Sequence, residues 1–223
     1  MNKPLTLYYA PDNASLWVRL ALLRAQIPFD TRLVDRSRSA QRDAAFLAMN
    51  PNGLIPVLRT PDATLYETAA ILLWVSEQSE GLMPEGVARA EALTWLFWLS
   101  NTLHPALRML FYPDQYIESG HDTLRRKTRE RLNTYWDQIE ARADWLDTDA
   151  GILGCYLAPM LRWAALYGGD TDWFDLSDRP RLLSFARKFE TTDAAVLAAT
   201  AEGLGPTPFS APILPNPPEG SAT

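Results

Sequence analysis

Residues 7–21, LYYAPDNASLWVRLA, bring hydrogen-bond donors to the start of a helix. The apolar run Leu5–Tyr9 reads as a strand, and Pro11, Asp12 and Asn13 form a turn. A helix then opens near Ala14 or Ser15, with Leu16, Leu20 and Leu23 on one face. The first N–H groups of a helix lack intrahelical partners and lie at the positive end of its dipole, so this turn can hold an anion. Tyr9, Asn13 and Ser15 are the side chains placed to donate to it. Ser15 serves equally well as a helix cap, Asn13 as a turn former and Tyr9 as a packed strand aromatic.

Two further stretches carry polar groups in unusual settings. In NPNGLIPVL, Asn50 to Leu58, a proline opens a strand directly after a glycine-containing turn. If the Ile55–Pro56 bond is cis, the Ile55 backbone faces a ligand; a trans bond makes an ordinary loop. In LYETAAILLWV, Leu65 to Val75, Glu67 and Thr68 begin an amphipathic helix. They either offset its dipole or join its N-terminus in receiving a ligand carboxylate and amine.

The elements that must position these residues follow from periodicity. Strands are predicted at Leu5–Tyr9, Phe29–Val34, Val57–Arg59 and Thr64–Leu65, and helices at Ser15–Gln26, Ala40–Met49 and Glu67–Ser79. The first two strands, joined by a helix, should be parallel and the closely spaced last pair antiparallel. Gly81, Pro84 and Gly86 suggest a linker. Beyond it the pattern is helical: Ala88–Phe111, Asp122–Trp145, Gly154–Tyr167, Pro180–Phe189 and Asp193–Glu202. The expected fold is therefore α/β followed by all-α. Its domains are 1–79, 87–210 and an irregular Pro-rich tail over 211–223 that is disordered at its tip.

With 223 residues, 47% of them hydrophobic, the chain can bury a sizeable core. A net charge of −6 argues against nucleic acid as partner, and the basic run Arg125–Arg131 reads as a solvated helix face. One cysteine, Cys155, permits no internal disulfide and fits a reducing compartment. The longest apolar run, Ala69–Val75, is too short to span a bilayer, and the N-terminus has too short an apolar core for a signal peptide. A cytoplasmic protein with no membrane partner is expected.

In this order and spacing the motifs resemble the glutathione transferase superfamily, over nearly the whole chain. FLAMNPNGLIPVL looks like the family's helix–turn–cis-proline–strand segment. ETAAILLWV looks like its Glu-Ser/Thr motif, and ALTWLFWLSNTLHPALRMLFYP is similar to the fourth helix of bacterial beta-like members. The resemblance implies a thioredoxin-like domain, an all-helical domain, a homodimer, and glutathione as co-substrate, with no metal. Leu54, Ile55, Pro56, Glu67 and Thr68 would bind the tripeptide, although Leu54 stands where many members carry Lys or Gln. Ala14 stands where beta-like members have a cysteine, which argues against cysteine-based reduction. Ser15 is favoured as the thiol-activating group, ahead of Asn13 and Tyr9. Trp98, Asn101, His104, Arg108 and Tyr112 would line the pocket for a small hydrophobic electrophile. The family's capping box before the sixth helix appears here as GILG, Gly151 to Gly154, so Thr148 or Asp149 would have to supply the cap.

Overall fold

The computed structural model describes residues 4–219. The tail tip, 220–223, lies outside the described residues. The chain divides into two compact units: Met1–Met83 with Thr191–Pro206 and Ile213–Thr223, and Pro84–Glu190 with Thr207–Pro212.

The first unit is built on four strands: β1 (Leu5–Tyr9), β2 (Phe29–Leu33), β3 (Val57–Arg59) and β4 (Thr64–Leu65), in the order β2-β1-β3-β4. β1 runs parallel to β2 across the crossover helix α1 (Ser15–Arg24). β3 returns antiparallel to β1, and β4 antiparallel to β3. Alternation along β1 sends Leu5, Leu7 and Tyr9 inward. The core beneath them comes from α1 and α3 (Thr68–Glu77), with Leu16, Trp17, Leu20, Ile71 and Leu72 fully buried. On the opposite face Tyr8 packs with Val34, Phe46 and Val57.

The expected helix over 40–49 is shorter than its periodicity suggests. Two 3-10 turns, Arg36–Arg38 and Ala40–Arg42, precede a four-residue helix α2 (Ala44–Leu47). Asp35 accepts the Ser37 N–H and captures the first turn, and Ser39, at φ 58°, interrupts the path to the second.

The second unit comprises α4 (Gly86–Trp98), α5 (His104–Phe111), α6 (His121–Arg142), α7 (Gly151–Leu166) and α8 (Pro180–Phe189). α7 is its centre, buried on every side from Gly151 to Ala164. The single helix expected over 88–111 contains a π-helical turn at Leu99–Leu103, where the His104 N–H donates to Leu99 O. Pro105 supplies the reason: its ring would clash with the carbonyl four residues back, and the wider turn moves that carbonyl away. Asp149 accepts the Gly151 N–H at 3.1 Å, so one of the two expected substitutes does cap α7.

α9 (Asp193–Glu202) packs on α1 in the first unit, a placement that the helical period alone does not encode. The Pro-rich tail is irregular, yet it is docked. Glu190 accepts the Phe209 and Ser210 N–H groups and the Ser210 hydroxyl, which fixes 207–212 on the helical unit. The next residues return to the first unit, where the Asn216 N–H donates to Gly203 O at 2.9 Å. Gly203 closes α9 at φ 63°, and a Cβ there would lie 2.0 Å from Asn216 O.

Glu140 on α6 accepts the Arg181 and Leu182 N–H groups, each at 2.9 Å, and so caps α8 from outside the helix. Glu140→Ala should therefore cost about 2 kcal/mol. Urea unfolding should show a lower midpoint at unchanged slope.

Candidate functional site

The sheet register brings three short segments to one end of the first unit. Tyr8 pairs with Val57, so the end of β1 lies beside the start of β3. Leu58 pairs with Leu65, so the end of β4 lies there too. The β1–α1 turn, residues 54–56 and residues 66–68 therefore share that end.

Asn50, 2% exposed, organises the approach to β3. Its amide donates to Leu54 O at 2.8 Å, and its carbonyl oxygen accepts the Asn52 N–H. Gly53 is required at φ 62°, because a Cβ would meet Gln41 O at 3.0 Å and the Arg42 guanidinium at 2.8 Å. The Ile55–Pro56 bond is cis. The β3 ladder starts at Val57, which leaves the Ile55 backbone beyond the paired residues. Leu54 is exposed and Pro56 buried. Glu67 is exposed and held at φ 71°, a region a residue with a Cβ seldom occupies, directly before the N-terminus of α3. Thr68, 8% exposed, is the first residue of that helix.

The three candidate donors of the β1–α1 turn differ sharply. Ser15 is fully buried. Its hydroxyl donates to Ala10 O at 3.0 Å and accepts the Ala10 N–H at 3.2 Å. A hydroxyl has one proton, and this one closes the turn on itself, so the reading that favoured Ser15 does not fit this geometry. Tyr9 is 3% exposed, and its hydroxyl bonds Glu219. Burial, then that carboxylate, pushes its pKa well above the usual phenol value. The Arg19 guanidinium lies over its ring at 4.8 Å. Both facts make Tyr9 a poor partner for a thiolate.

Asn13 is partly exposed. Its Oδ1 accepts from Arg36 Nη1, which fixes the amide orientation, and its Nδ2 donates to Pro11 O at 2.9 Å. Arg36 escaped the sequence reading. It belongs to the basic 3-10 turn after β2, and only the parallel β1–β2 pairing brings it beside the β1–α1 turn.

Behind the turn lies a charge network, buried at Arg19 and Glu202 and exposed at Glu219, that the sequence does not announce. The Asp12 N–H donates to Glu202 Oε2 at 2.7 Å, and Arg19 Nε donates to Glu202 Oε1 at 2.7 Å. Arg19 Nη2 reaches Glu219 Oε2 at 2.7 Å. Glu202 is fully buried, and burial raises its pKa to about 7 against the opposing pull of Arg19 and the Asp12 N–H.

The remaining candidates lie in the helical unit and do not share one face. Trp98 stacks edge-on against Trp95 and Tyr135, each at 5.5 Å, which turns it toward α6. His104 points to α7, its Nδ1 3.4 Å from the buried Tyr156 hydroxyl. Arg108 and Tyr112 follow His104 at one-turn intervals, the guanidinium 5.8 Å from the tyrosine ring and bonded to Gln115. Asn101 is exposed within the π-helical turn. Cys155 is buried in α7. Among the described residues no cluster of His, Cys, Asp and Glu could hold a metal, and no helix is long and apolar enough to cross a membrane.

A four-stranded mixed sheet with a cis-proline before β3, followed by a helical bundle, defines a thioredoxin-like domain joined to an all-helical one. Residues 14–78 match the family model "Glutathione S-transferase, N-terminal domain". The chain is 32% identical over 212 residues to the glutathione S-transferase GST-4.5 of Xanthomonas campestris pv. campestris, covering 89% of this chain and 98% of that one. It is 40% identical over 156 residues to the glutathione S-transferase GstB of Escherichia coli, covering 65% and 74%. The fold aligns with a glutathione transferase homologue from Sulfitobacter, crystallised with bound glutathione, at a TM-score of 0.76 and 24% identity, covering 87% and 96%. This chain belongs to the glutathione S-transferase family.

Burial, with Arg108 adding repulsion, lowers the His104 pKa to about 3. An unfolded histidine binds its proton near pH 6.5. Between these values the unfolded chain holds more protons, so burying neutral His104 weakens the fold as pH falls from 6.5 toward 3. His104→Leu should flatten that part of the stability curve, measured by urea unfolding of both proteins from pH 7 to pH 4.

Proposed function

We propose that the protein is a glutathione transferase that binds glutathione as a thiolate and directs it at an electrophilic carbon of a small hydrophobic compound. The observation that carries this reading is the meeting of Asn13, Ile55 and Glu67 at one end of the sheet, in a chain of this family. Glutathione is an anionic tripeptide. The Ile55 backbone would pair with its backbone, Glu67 would take its ammonium group, and Thr68 with the α3 N-terminus would take its α-carboxylate. Leu54 would border the same site.

The thiol is activated by stabilising its anion; no base is needed. A thiol pKa lies near 8.5, and lowering it by about two units takes about 2.7 kcal/mol of preferential thiolate stabilisation. Asn13 Nδ2 and the α1 N-terminus would supply it. Arg36, bonded to Asn13 Oδ1, polarises that amide and strengthens its N–H as a donor. Asn13 thereby replaces Ser15 as the favoured activating residue. With Cys155 buried in α7 and no other cysteine in the chain, a protein thiol has no part in the chemistry. His104, kept neutral, together with Asn101, Arg108 and Tyr112, would contact the second substrate, and Trp98 would support them from the aromatic stack. Removal of reactive electrophiles in the cytoplasm would be the cellular role.

Asn13→Ala should raise the pKa of bound glutathione by about one unit and cut kcat/KM with an aromatic electrophile about tenfold. The ultraviolet thiolate band, followed against pH, reads the first effect directly. Ser15→Ala should cost about 1–2 kcal/mol of stability through the loss of the Ala10 bonds and leave the bound thiol unshifted. An unshifted thiol in the wild-type complex would mark a binding protein without transferase chemistry.

We also propose a homodimer. β4 is an edge strand, with Tyr66 beside it 38% exposed, and α4 presents Phe97 at 49% exposure. Light scattering at micromolar concentration should give twice the chain mass; a monomer would refute it.

A further inference from the structure

The β1–α1 turn is held from behind by groups that the thiolate chemistry does not use. Asp12 sits at φ 51°, a conformation that costs energy for any residue with a Cβ, so something must keep it there. Its N–H joins an arrangement centred on Glu202, which is fully buried. Glu202 closes α9 and receives two donors on its two oxygens, the Asp12 N–H and Arg19 Nε, both at 2.7 Å. Arg19 is 4% exposed and passes the connection on to Glu219, which also holds the Tyr9 hydroxyl. Glu219 reaches Arg19 because the tail folds back, through the Asn216 N–H on Gly203 O and through Ile213 against Gly205. One continuous path therefore runs from the tail to the residue preceding Asn13.

We propose that Glu202 is the positioning residue of the β1–α1 turn, and that Arg19 and Glu219 make the C-terminal segment part of the apparatus that aims Asn13 at the glutathione sulfur. The inference rests on the reading of Asn13 as the thiolate donor. The carboxylate suits the task because both of its partners are donors. An amide in its place would have to turn its own N–H₂ toward one of them.

The sign of one shift separates positioning from a simple charge effect. Glu202 carries negative charge near an anion site. If it acted only through space, Glu202→Gln would remove repulsion and lower the pKa of the bound thiol. If it aims the turn, the same substitution weakens the donor and raises it. The experiment is the ultraviolet titration of bound glutathione in Glu202→Gln and in Arg19→Lys. The lysine preserves the charge but lacks the planar fork by which Arg19 gives Nε to Glu202 and Nη2 to Glu219, so the substitution chiefly tests geometry. We expect a rise of about one unit in the first and a smaller rise in the second, with kcat falling while glutathione affinity changes less than about threefold. Amide exchange should show loss of protection at the Asp12 N–H in both.

A fall in the Glu202→Gln thiol pKa would overturn the proposal. An unchanged thiol pKa beside a freed Asp12 amide would overturn it too, because the turn would then move without consequence. If Glu202→Gln does not fold, Arg19→Lys decides alone: a rise supports the proposal, and no rise refutes it. If Asn13→Ala leaves the thiol unshifted while both variants raise its pKa, the positioning stands and a backbone N–H of the turn is the donor it sets.

Discussion

The end of the first unit where the β1–α1 turn, the cis-proline loop and the start of α3 gather depends on the antiparallel return of β3 and β4 against β1. Tyr8 opposite Val57 and Leu58 opposite Leu65 fix which loops meet. A slip of one residue would turn Leu7 and Leu58, both fully buried, out of the core, so packing alone enforces the register. Because the register is rigid, the turn after β1, the cis-proline loop and the start of α3 hold a common position before any ligand arrives. That pre-organisation matters for an anion held by dipoles, since groups already in place need not be reordered at binding.

The details of the β1–α1 turn then decide which group can act. Three side chains there could donate to an anion, and the turn assigns each a different task. The Ser15 proton closes the turn on Ala10, the Tyr9 phenol goes to Glu219, and Asn13 is the one whose carbonyl end is already engaged by a cation. Residue type alone would rank a hydroxyl above an amide. The ranking reverses because the Ser15 hydroxyl has a single proton, already given to Ala10 O at 3.0 Å, whereas an amide nitrogen carries two.

The parts legible in the sequence are those governed by local pattern. The four strands, the crossover helix and α8 and α9 follow from alternation and the 3.6-residue period almost to the residue, and Pro56, Glu67 and Thr68 were visible as motifs. The hidden parts are set by contacts across the chain. The bond from Asp12 to Glu202 spans 190 positions, and no period or spacing encodes it. α9 reads as one more helix of an all-α domain, because its sequence specifies a helix but not the surface it covers. The Pro-rich tail reads as irregular, since Pro and Gly remove regular hydrogen bonding, yet Gly203 O gives its Asn216 N–H a specific partner. The π-helical turn had a local cue in Pro105. Its consequence, a changed angular offset between Trp98 and His104, appears only once the ring has to be accommodated.

Placing a buried carboxylate behind the proposed anion site looks unfavourable until the charges are taken together. Glu202 alone would repel a thiolate and would cost much to desolvate. Arg19 offsets it at 2.7 Å and stays paired because Glu219 holds its other nitrogen. The Asp12 N–H then gains more from an ionised acceptor than it would from a backbone carbonyl. The turn is fixed by a charge-assisted bond whose field Arg19 reduces, while its geometry persists. A neutral acceptor would give weaker hold, and an unpaired carboxylate would give hold at the expense of the anion. The ion pair between α1 and α9 reconciles the two requirements, which is a physical reason for α9 to pack on α1.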